Sequence, residues 1–489
     1  MRAAGVLLPV FSLPSPYGIG ALGAAAHAFV EFLEAADQRY WQILPLGPTG
    51  YGDSPYQAFS SFAGNPYLID LDALAAQGLL TREECDARDF GRDPGRVDYL
   101  RQYRSRQDLL RRAFARFPAQ DGAFGAFAAD QSWWLEDYAL YTSLKSAQGD
   151  AAWDRWPEQY RLRDPAAMEA YAAVHEADIR FHKFVQYLFY GQWRDLKRYA
   201  NAHGIRIIGD IPIYAAPDSA DVWADPRLFL LDERGRPTQV AGVPPDAFSA
   251  DGQLWGNPLY NWEVHRQTGY GWWLRRLRLS AELYDMVRID HFRGFESYYA
   301  IPAGDPTAAG GVWHRGPGMD FIGRVKAELP DFPILAENLG FLTPEVHRLL
   351  EDSGFPGMAV LQFAFGGGGG SEYLPHNHRR RMVVYTGTHD NTTSAHWPQA
   401  APPEEAAFAR EYLGLAPDGD FADGLVRAAL ASVCDLAVVP LQDYLGLGAQ
   451  ARINTPSTLG GNWTWRLTPG QATPELAARM ARLVRIYGR

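Results

Sequence analysis

The sequence predicts an α/β protein built on a (β/α)8 barrel, also called a TIM barrel. Eight short apolar runs of strand length alternate with longer amphipathic stretches, and most of these runs end in a polar or acidic residue followed by turn residues. Near-continuous apolar strands are typical of a parallel sheet that helices cover on its faces, and eight such strands can close into a barrel.

The elements can be taken in chain order. The predicted strands occupy residues 6–11, 40–44, 205–208, 286–289, 334–336, 358–361, 382–385 and 437–441. Two of the connections between them are much longer than the others and contain helix-forming, aromatic-rich stretches. We therefore expect one catalytic barrel over residues 1–489, in which insertions near 47–200 and 212–283 form helical subdomains over the barrel mouth.

Composition excludes several classes of function. The 57 acidic residues outnumber the 46 basic ones, giving a formal charge of −11, and the basic residues are scattered, so we expect no nucleic-acid partner. No apolar run is long enough to span a bilayer, so we expect no membrane partner. The two cysteines, Cys85 and Cys434, form no disulfide framework and favour a cytoplasmic location. The 13% aromatic content suits a carbohydrate ligand, because sugar rings stack on aromatic faces.

Four acidic residues stand at the carboxyl ends of different predicted strands. Asp210, Asp290, Glu337 and Asp390 follow the third, fourth, fifth and seventh runs. One such acid alone could equally cap the next helix, but in a closed barrel all four ends meet at one mouth. Crowded carboxyls raise one another's pKa, so one can stay protonated as an acid while another stays ionised as a nucleophile.

Two charged neighbours complete this pattern. Asp285 precedes the fourth strand, and we assign it to the solvated bottom face of the barrel. Arg288 lies two residues before Asp290, so it points to the same side of the strand. We expect Arg288 to orient the ionised Asp290 and to keep its pKa low.

Cofactor and metal motifs are weak. Gly18-Ile-Gly20-Ala-Leu-Gly23 matches the dinucleotide pattern G-x-G-x-x-G, but six residues with two prolines separate it from the first strand, where that pattern needs a tight turn. His376 and His378 have no cysteine partners at metal-ligand spacing, and a solvated loop or substrate contacts explain them better. No G-x-S-x-G nucleophile motif occurs. We expect neither a cofactor nor a metal.

Ten motifs resemble those of the 4-α-glucanotransferases of the amylomaltase (disproportionating enzyme) type, glycoside hydrolase family 77, relatives of the α-amylases. The resemblance extends over most of the chain. The motifs are Leu13-Pro-Ser-Pro-Tyr-Gly-Ile-Gly20, Gln42-Ile-Leu-Pro-Leu-Gly-Pro-Thr49, Tyr51-Gly-Asp-Ser-Pro-Tyr-Gln57, Gly209-Asp-Ile-Pro-Ile-Tyr214, Gly242-Val-Pro-Pro-Asp246, Gly252-Gln-Leu-Trp-Gly-Asn-Pro-Leu-Tyr260, Arg288-Ile-Asp-His-Phe-Arg-Gly294, Ala336-Glu-Asn-Leu-Gly340, Thr386-Gly-Thr-His-Asp-Asn391 and Arg452-Ile-Asn-Thr-Pro456.

The resemblance implies roles for individual residues. It assigns the nucleophile to Asp290, the acid/base to Glu337 and a third acid that stabilises the transition state to Asp390. Further residues match positions that hold the sugar or contact substrate: Asp210, Arg288, His291, His389, Tyr56, Ser54, Gln253, Trp255 and Asn454. It also implies a barrel without a separate C-terminal β domain and α-1,4-glucan substrates such as maltooligosaccharides, amylose, starch or glycogen.

The expected reaction is a retaining double displacement through a covalent glycosyl enzyme, for which the two reacting carboxyls stand about 5 to 5.5 Å apart. Pro244, Pro245, Trp255 and Pro258 predict a stiff, partly apolar loop over residues 242–260 that covers the intermediate and stacks an acceptor sugar. Two alternatives stay open: an α-amylase-type glucan hydrolase, which its products would distinguish, and a non-catalytic glucan-binding protein.

Overall fold

The computed structural model describes residues 2–50, 52–245, 251–340 and 342–489. Tyr51 and Asp246, which belong to two of the motifs above, lie outside the described residues.

Twelve strands occur in the described residues. They are β1 (Ala3–Leu7), β2 (Tyr40–Gln42), β3 (Arg206–Ile211), β4 (Gln239–Val243), β5 (Gln253–Pro258), β6 (Met286–Ile289), β7 (Ser297–Pro302), β8 (Val312–Arg315), β9 (Ile334–Ala336), β10 (Gly357–Val360), β11 (Met382–Tyr385) and β12 (Leu436–Pro440).

Eight of these strands form the predicted parallel barrel. Their order is β10-β11-β12-β1-β2-β3-β6-β9, and all seven neighbouring pairs are parallel. The remaining seam, between β9 and β10, is bridged where the Ala336 amide donates to the Pro356 carbonyl at 3.0 Å. The Met358 amide also donates to Asn338 Oδ1 at 2.7 Å, so the sheet is nearly closed.

All eight predicted barrel strands are confirmed, with one shift in position. The first strand was expected over residues 6–11 but spans Ala3–Leu7. Pro9 has no amide hydrogen to donate to a ladder, and Val10–Ser12 form a 3-10 turn immediately after it. The proline therefore ends the strand that the apolar run alone would have extended.

Helices fill most of the connections between the barrel strands and also follow the last of these strands. They are α1 (Ala24–Ala35), α2 (Leu71–Ala76), α3 (Arg82–Asp86), α4 (Tyr99–Arg116), α5 (Gly122–Asp130), α6 (Ser132–Ala147), α7 (Glu158–Arg161), α8 (Pro165–Val174), α9 (Glu176–Ala202), α10 (Ala220–Ala224), α11 (Trp262–Gln267), α12 (Gly271–Leu283), α13 (Gly318–Glu328), α14 (Pro344–Ser353), α15 (Trp397–Ala400), α16 (Pro403–Tyr412), α17 (Phe421–Ala431), α18 (Leu441–Tyr444) and α19 (Pro474–Ile486). The connection from β10 to β11, residues 361–381, contains only three 3-10 turns.

The long connections add a helical part and a second sheet. Between β2 and β3, the described residues form eight helices, α2 to α9. Strands β4, β5, β7 and β8 form an antiparallel sheet in the order β5-β4-β7-β8. The predicted stiff loop over 242–260 is therefore wrong in part, because strand β5 and the end of β4 lie there. The prolines had suggested a loop, but Pro258 is the last residue of β5 and Pro244 directly follows β4, where prolines are tolerated.

The apolar core is continuous from the barrel interior into the helical insertion. Its largest fully buried side chains include Trp41 on β2, Trp193 on α9 and Trp273 on α12. In the parts of the chain that the structure describes, no helix has both the length and the apolar character that crossing a membrane requires.

Candidate active site

The four acids at the strand ends meet at the barrel mouth. Asp210 lies within β3, Asp290 directly follows β6, Glu337 directly follows β9, and Asp390 lies in the turn after β11. The backbone also links the ends of these strands, since the Asp290 amide donates to the Ile211 carbonyl and the Glu337 amide donates to the Ile289 carbonyl, both at 3.0 Å.

One buried guanidinium joins two of the acids. Arg288 Nη1 donates to both carboxylate oxygens of Asp210 at 2.8 Å, and Nη2 lies 2.9 Å from Asp290 Oδ1. Arg288 is 4% exposed and Asp210 is fully buried. This geometry fixes the Asp290 carboxylate from one side, because a guanidinium presents its donors in a rigid plane.

A chain of hydrogen bonds extends from Asp210 to the fourth acid. The Tyr56 hydroxyl donates to Asp210 Oδ2 at 2.9 Å and lies 3.4 Å from His389 Nδ1. The rings of Tyr56 and His389 are stacked, with centroids 5.1 Å apart. Burial, with help from the Asp210 carboxylate, raises the pKa of Tyr56 well above its usual value, so this phenol stays a neutral donor.

Asp390 is held by three partners. Asn454 Nδ2 donates to Asp390 Oδ1 at 2.6 Å, and His389 Nε2 lies 3.4 Å from the same oxygen. Arg452 Nη2 donates to the Asp390 backbone carbonyl at 2.6 Å. The carboxyl of Asp390 nevertheless stays 45% exposed, so it can reach a molecule bound in the mouth.

Glu337 sits in a cradle of backbone amides. The His291 amide donates to Glu337 Oε2 and the Leu339 amide donates to Oε1, both at 2.7 Å. His291 has φ of 50°, in the left-handed region that a non-glycine residue rarely adopts. This strained turn directly after Asp290 aims the His291 amide at Glu337, and such strain is typical of functional sites.

The carboxyls of Asp290 and Glu337 differ in their environment. Burial raises the pKa of Glu337 to about 7, although Arg288 and the two amides oppose the rise. Burial also raises the pKa of Asp290 above its usual value, because it outweighs the ion pair with Arg288. Arg288 therefore lowers the pKa of Asp290 as expected but does not keep it low, because burial, which the sequence does not show, outweighs the charge.

Trp255, Gln253 and His291 form the wall beside Glu337. The rings of Trp255 and His291 meet edge to face at 4.8 Å, and Trp255 Nε1 donates to Gln253 Oε1 at 3.1 Å. Burial lowers the pKa of His291 to about 3, so its imidazole is neutral at physiological pH. His291 Nε2 is buried without a hydrogen-bond partner among the described residues and is free to meet a substrate hydroxyl.

Ser54 is the proposed site residue with the least support. Its Oγ accepts a hydrogen bond from the Tyr56 amide at 3.3 Å, which shapes the turn that presents the Tyr56 ring. The contacts above link the other proposed residues in one constellation: Tyr56, Asp210, Gln253, Trp255, Arg288, Asp290, His291, Glu337, His389, Asp390 and Asn454.

Three residues of this region escaped the sequence analysis. The Trp463 ring lies 5.8 Å from that of Tyr56 and 5.9 Å from that of His389, and Arg452 was quoted in a motif without a role. Asp443 accepts from the Ser394 amide at 2.7 Å and from the hydroxyls of Ser394 and Thr386 at 2.6 Å, beneath the turn that presents Asp390. Asp443 follows the eighth predicted strand, so the rule that found the other acids could have found it.

In the residues that the structure describes, no group of three or more histidine, cysteine or acidic side chains could hold a metal ion. His378 is buried, contrary to the solvated loop expected there, with Nδ1 2.7 Å from Ser432 Oγ and Nε2 2.8 Å from the Tyr373 carbonyl. It therefore has a structural role.

Comparisons with known proteins place this site in a family. The model of glycoside hydrolase family 77, described as 4-alpha-glucanotransferase, matches residues 8–472. The 4-alpha-glucanotransferase of Thermus thermophilus is 51% identical over 98% of this chain and 97% of the relative, and that of Clostridium butyricum is 46% identical over 98% and 99%. The amylomaltase from Streptococcus agalactiae, solved in complex with acarbose, superposes with a TM-score of 0.98 at 40% identity and full coverage of both chains.

These matches extend over nearly the whole chain and include every strand end that presents an acid. The chain therefore belongs to glycoside hydrolase family 77, the 4-alpha-glucanotransferases.

Proposed function

We propose that this 4-alpha-glucanotransferase moves α-1,4-glucan segments by a retaining double displacement. Its substrates in this proposal are maltooligosaccharides and the longer glucans starch, amylose or glycogen. In this proposal Asp290 is the nucleophile, Glu337 is the acid/base and Asp390 stabilises the transition state. The family membership supports the activity, and the geometry of the mouth supports the assignment of roles.

The observation that supports these roles is the difference between Asp290 and Glu337. Asp290 has a guanidinium 2.9 Å away, whereas among the described residues the short contacts of Glu337 come from backbone amides. When two close carboxyls share a site, one ionises before the other, and a direct ion pair favours ionisation of Asp290. Glu337, whose pKa is raised to about 7, then retains the proton.

The first step forms the glycosyl enzyme. A carboxylate oxygen of Asp290 attacks the anomeric carbon as the bond from that carbon to the glycosidic oxygen breaks. Glu337 gives its proton to the departing oxygen, so the leaving glucan departs as an alcohol. The sugar at this position meets Asp390 and the neutral His291, which can bond its hydroxyls as positive charge develops on the ring.

The second step returns the enzyme to its starting state. Glu337, now ionised, takes the proton from the 4-hydroxyl of an acceptor glucan, whose oxygen attacks the anomeric carbon and displaces Asp290. Two inversions give retention, and one α-1,4 bond replaces another. The Trp255 ring, held by Gln253 and His291, supports stacking of an acceptor sugar in preference to water.

A count of reducing ends tests transfer against hydrolysis. Maltotriose should yield glucose together with longer maltooligosaccharides, while the number of reducing ends stays constant. The hydrolase alternative requires one new reducing end for each bond broken, and a non-catalytic glucan-binding protein would leave maltotriose unchanged. Trp255→Ala should weaken transfer more than hydrolysis, because water needs no aromatic surface.

The proposed mechanism also fixes a distance. Retaining enzymes place the two carboxyls about 5 to 5.5 Å apart, whereas inverting enzymes leave about 6.5 to 9.5 Å for a water molecule. A crystal structure with a bound oligosaccharide should show Asp290 and Glu337 near the shorter separation. A separation in the longer range, with water between the carboxyls, would contradict the proposal.

We place the enzyme in the cytoplasm. Both cysteines are buried and unpaired, so they do not form the disulfide that is typical of proteins from oxidising compartments. Fractionation of cells that produce the enzyme should recover the transferase activity with cytoplasmic markers, and recovery in the secreted fraction would overturn this location.

A further inference from the structure

An exposed aromatic side chain stands on the edge of the second sheet. Strand β8 is the last strand in the order β5-β4-β7-β8, and all four of its residues are exposed. Trp313 is 36% exposed and its neighbour Val312 is 60% exposed. Natural edge strands usually avoid such side chains, because exposed apolar edges invite unwanted pairing.

The Trp313 ring is fixed in position from the protein side. The guanidinium carbon of Arg293 lies 3.9 Å from the centre of this ring, and the Tyr299 ring lies 5.1 Å away. Arg293 is only 6% exposed. A buried cation against an aromatic face holds the ring in one orientation and leaves its outer part to solvent.

Arg293 also ties this ring to the catalytic turn. It stands three residues after Asp290 and two after His291, in the 3-10 turn Phe292–Phe295 that follows β6. Its Nη2 donates to Ser297 Oγ at 3.3 Å at the start of β7, the strand that pairs with β8. The Arg293 side chain therefore joins the exposed ring to the turn that directly follows Asp290 and His291.

We propose that Trp313, backed by Arg293, is a distal binding platform for α-1,4-glucan chains that extend beyond the sugars bound at the four acids. The ring stacks on a glucose face of such a chain. The proposal goes beyond the assigned reaction and rests on the glucan substrate proposed above.

A sugar fits this surface better than a protein partner does. Stable protein interfaces bury about 800 Å² on each partner, far more than two apolar side chains on one edge strand supply. The next residues on β8, His314 and Arg315, are polar, and the rings of His314 and Tyr298 stack at 5.7 Å. One fixed aromatic face with polar neighbours is what a sugar ring and its hydroxyls require.

Binding by the inactive Asp290→Asn enzyme, with and without Trp313→Ala, tests the proposal. In isothermal titration, Trp313→Ala should raise the Kd for amylose about three- to tenfold, as expected for one lost stacking contact. The same substitution should raise the Kd for maltotriose less than about twofold. Trp313→Phe, which keeps a ring, should recover part of the loss. In the active enzyme, the ratio of kcat/KM for amylose to that for maltotriose should fall by a similar factor.

A matched control is available on α6. Trp133 is 40% exposed and the guanidinium carbon of Arg275 lies 5.6 Å from its ring centre, but it lies outside the second sheet. Trp133→Ala should leave the amylose preference unaltered. The proposal would be overturned if Trp313→Ala lost equal affinity for amylose and maltotriose, or lost no affinity for either. A change in oligomeric state, measured by sedimentation, would also overturn it. Failure of the proposed function would appear separately, as maltotriose disproportionation that survives Asp290→Asn.

Discussion

The two ends of the barrel differ in how their charged side chains are paired. At the bottom, where the strands begin, Asp285 accepts from the Ile207 amide at 2.8 Å and from Asn201 Nδ2 at 2.9 Å, with Lys197 Nζ 3.8 Å away. At the mouth, Arg288 is the only arginine or lysine of the described residues that ion-pairs with the four acids, and it reaches two of them. The bottom face pairs its charges, whereas the mouth leaves carboxyls in excess.

Arginines strengthen the bottom further. Arg489 donates to five backbone carbonyls, including those of Ala429 and Leu430 at the end of α17 and that of Ala3 at the start of β1. Arg2 donates to three backbone carbonyls, of which those of Leu430 and Ser432 also accept from Arg489. Cations at the carboxyl end of a helix are favourable, and hydrogen bonds from charged donors are the strong ones.

The contrast indicates a division between stability and reactivity. The mouth holds the strained backbone at His291, a carboxyl whose pKa is raised to about 7 and an imidazole nitrogen that has no hydrogen-bond partner in the described part of the chain. Such features cost stability and persist only where the surroundings hold them in place. We therefore expect substitutions at the mouth to change turnover with little effect on folding, and substitutions at the bottom to do the reverse.

The largest effect should come from Asp290, the proposed nucleophile. Asp290→Asn keeps the size of the side chain but removes the attacking oxyanion, so kcat on maltotriose should fall on the order of 10⁴-fold or more. The thermal midpoint should change little. A fully active Asp290→Asn enzyme would remove this residue from the mechanism, whereas a loss of activity that follows unfolding would show a structural role.

The acid/base should show a smaller and more selective effect. Glu337→Gln should lower kcat on maltotriose about 10²- to 10⁴-fold, because the leaving glucan needs a proton. The first step with a maltosyl fluoride, whose leaving group needs no proton, should be largely spared. Rapid measurement of fluoride release separates this step from the second one, which still needs the base.

The pH profile sharpens the same assignment. Since the pKa of Glu337 is raised to about 7, its protonated fraction and hence the first-step rate should fall as pH rises above that value. At low pH, activity should fall when Asp290 takes up a proton. With the fluoride substrate the loss at high pH should disappear, and its persistence would point to a different acid.

The sequence predicted most of the barrel because its strands are buried on both faces and show as apolar runs. It also predicted the four acids, since strand ends are visible without knowledge of the packing. It missed all four strands of the second sheet, β4, β5, β7 and β8, and at β4 and β5 the prolines at the strand ends suggested a loop. The sequence analysis missed Trp463 because this residue contacts Tyr56, which lies far away in the chain. The backbone of Trp463 has a φ of 62°. The direction of the Asp290 pKa shift needed the burial that only the structure shows.

A supporting residue at the mouth should have an intermediate effect. Asp443 is 4% exposed and its three hydrogen bonds hold the turn from Thr386 to Ser394, which presents Asp390. Asp443→Ala should lower kcat roughly 10- to 100-fold through misplacement of that turn, and Asp443→Asn, which keeps one acceptor, should recover part of it. The exposed Asp418 serves as a control for loss of charge. Equal kcat per folded enzyme in all three variants would limit Asp443 to stability.

The smallest effect on turnover should come from the bottom of the barrel. Arg489→Ala removes five hydrogen bonds from a charged donor, two of them to carbonyls that still accept from Arg2, so the free energy of unfolding should fall by about 2–4 kcal/mol. The mouth lies at the opposite end of the strands, so kcat/KM on maltotriose should stay within about twofold, the independence expected of distant sites.

Arg482→Ala, which changes an exposed arginine on α19, controls for loss of charge. It should alter the free energy of unfolding by less than about 0.5 kcal/mol. Urea unfolding followed by fluorescence, alongside initial rates at a temperature where all variants are folded, measures both quantities. If Arg489→Ala lowered kcat/KM while the unfolding midpoint stayed constant, the two ends of the barrel would be coupled and the division between them would be wrong.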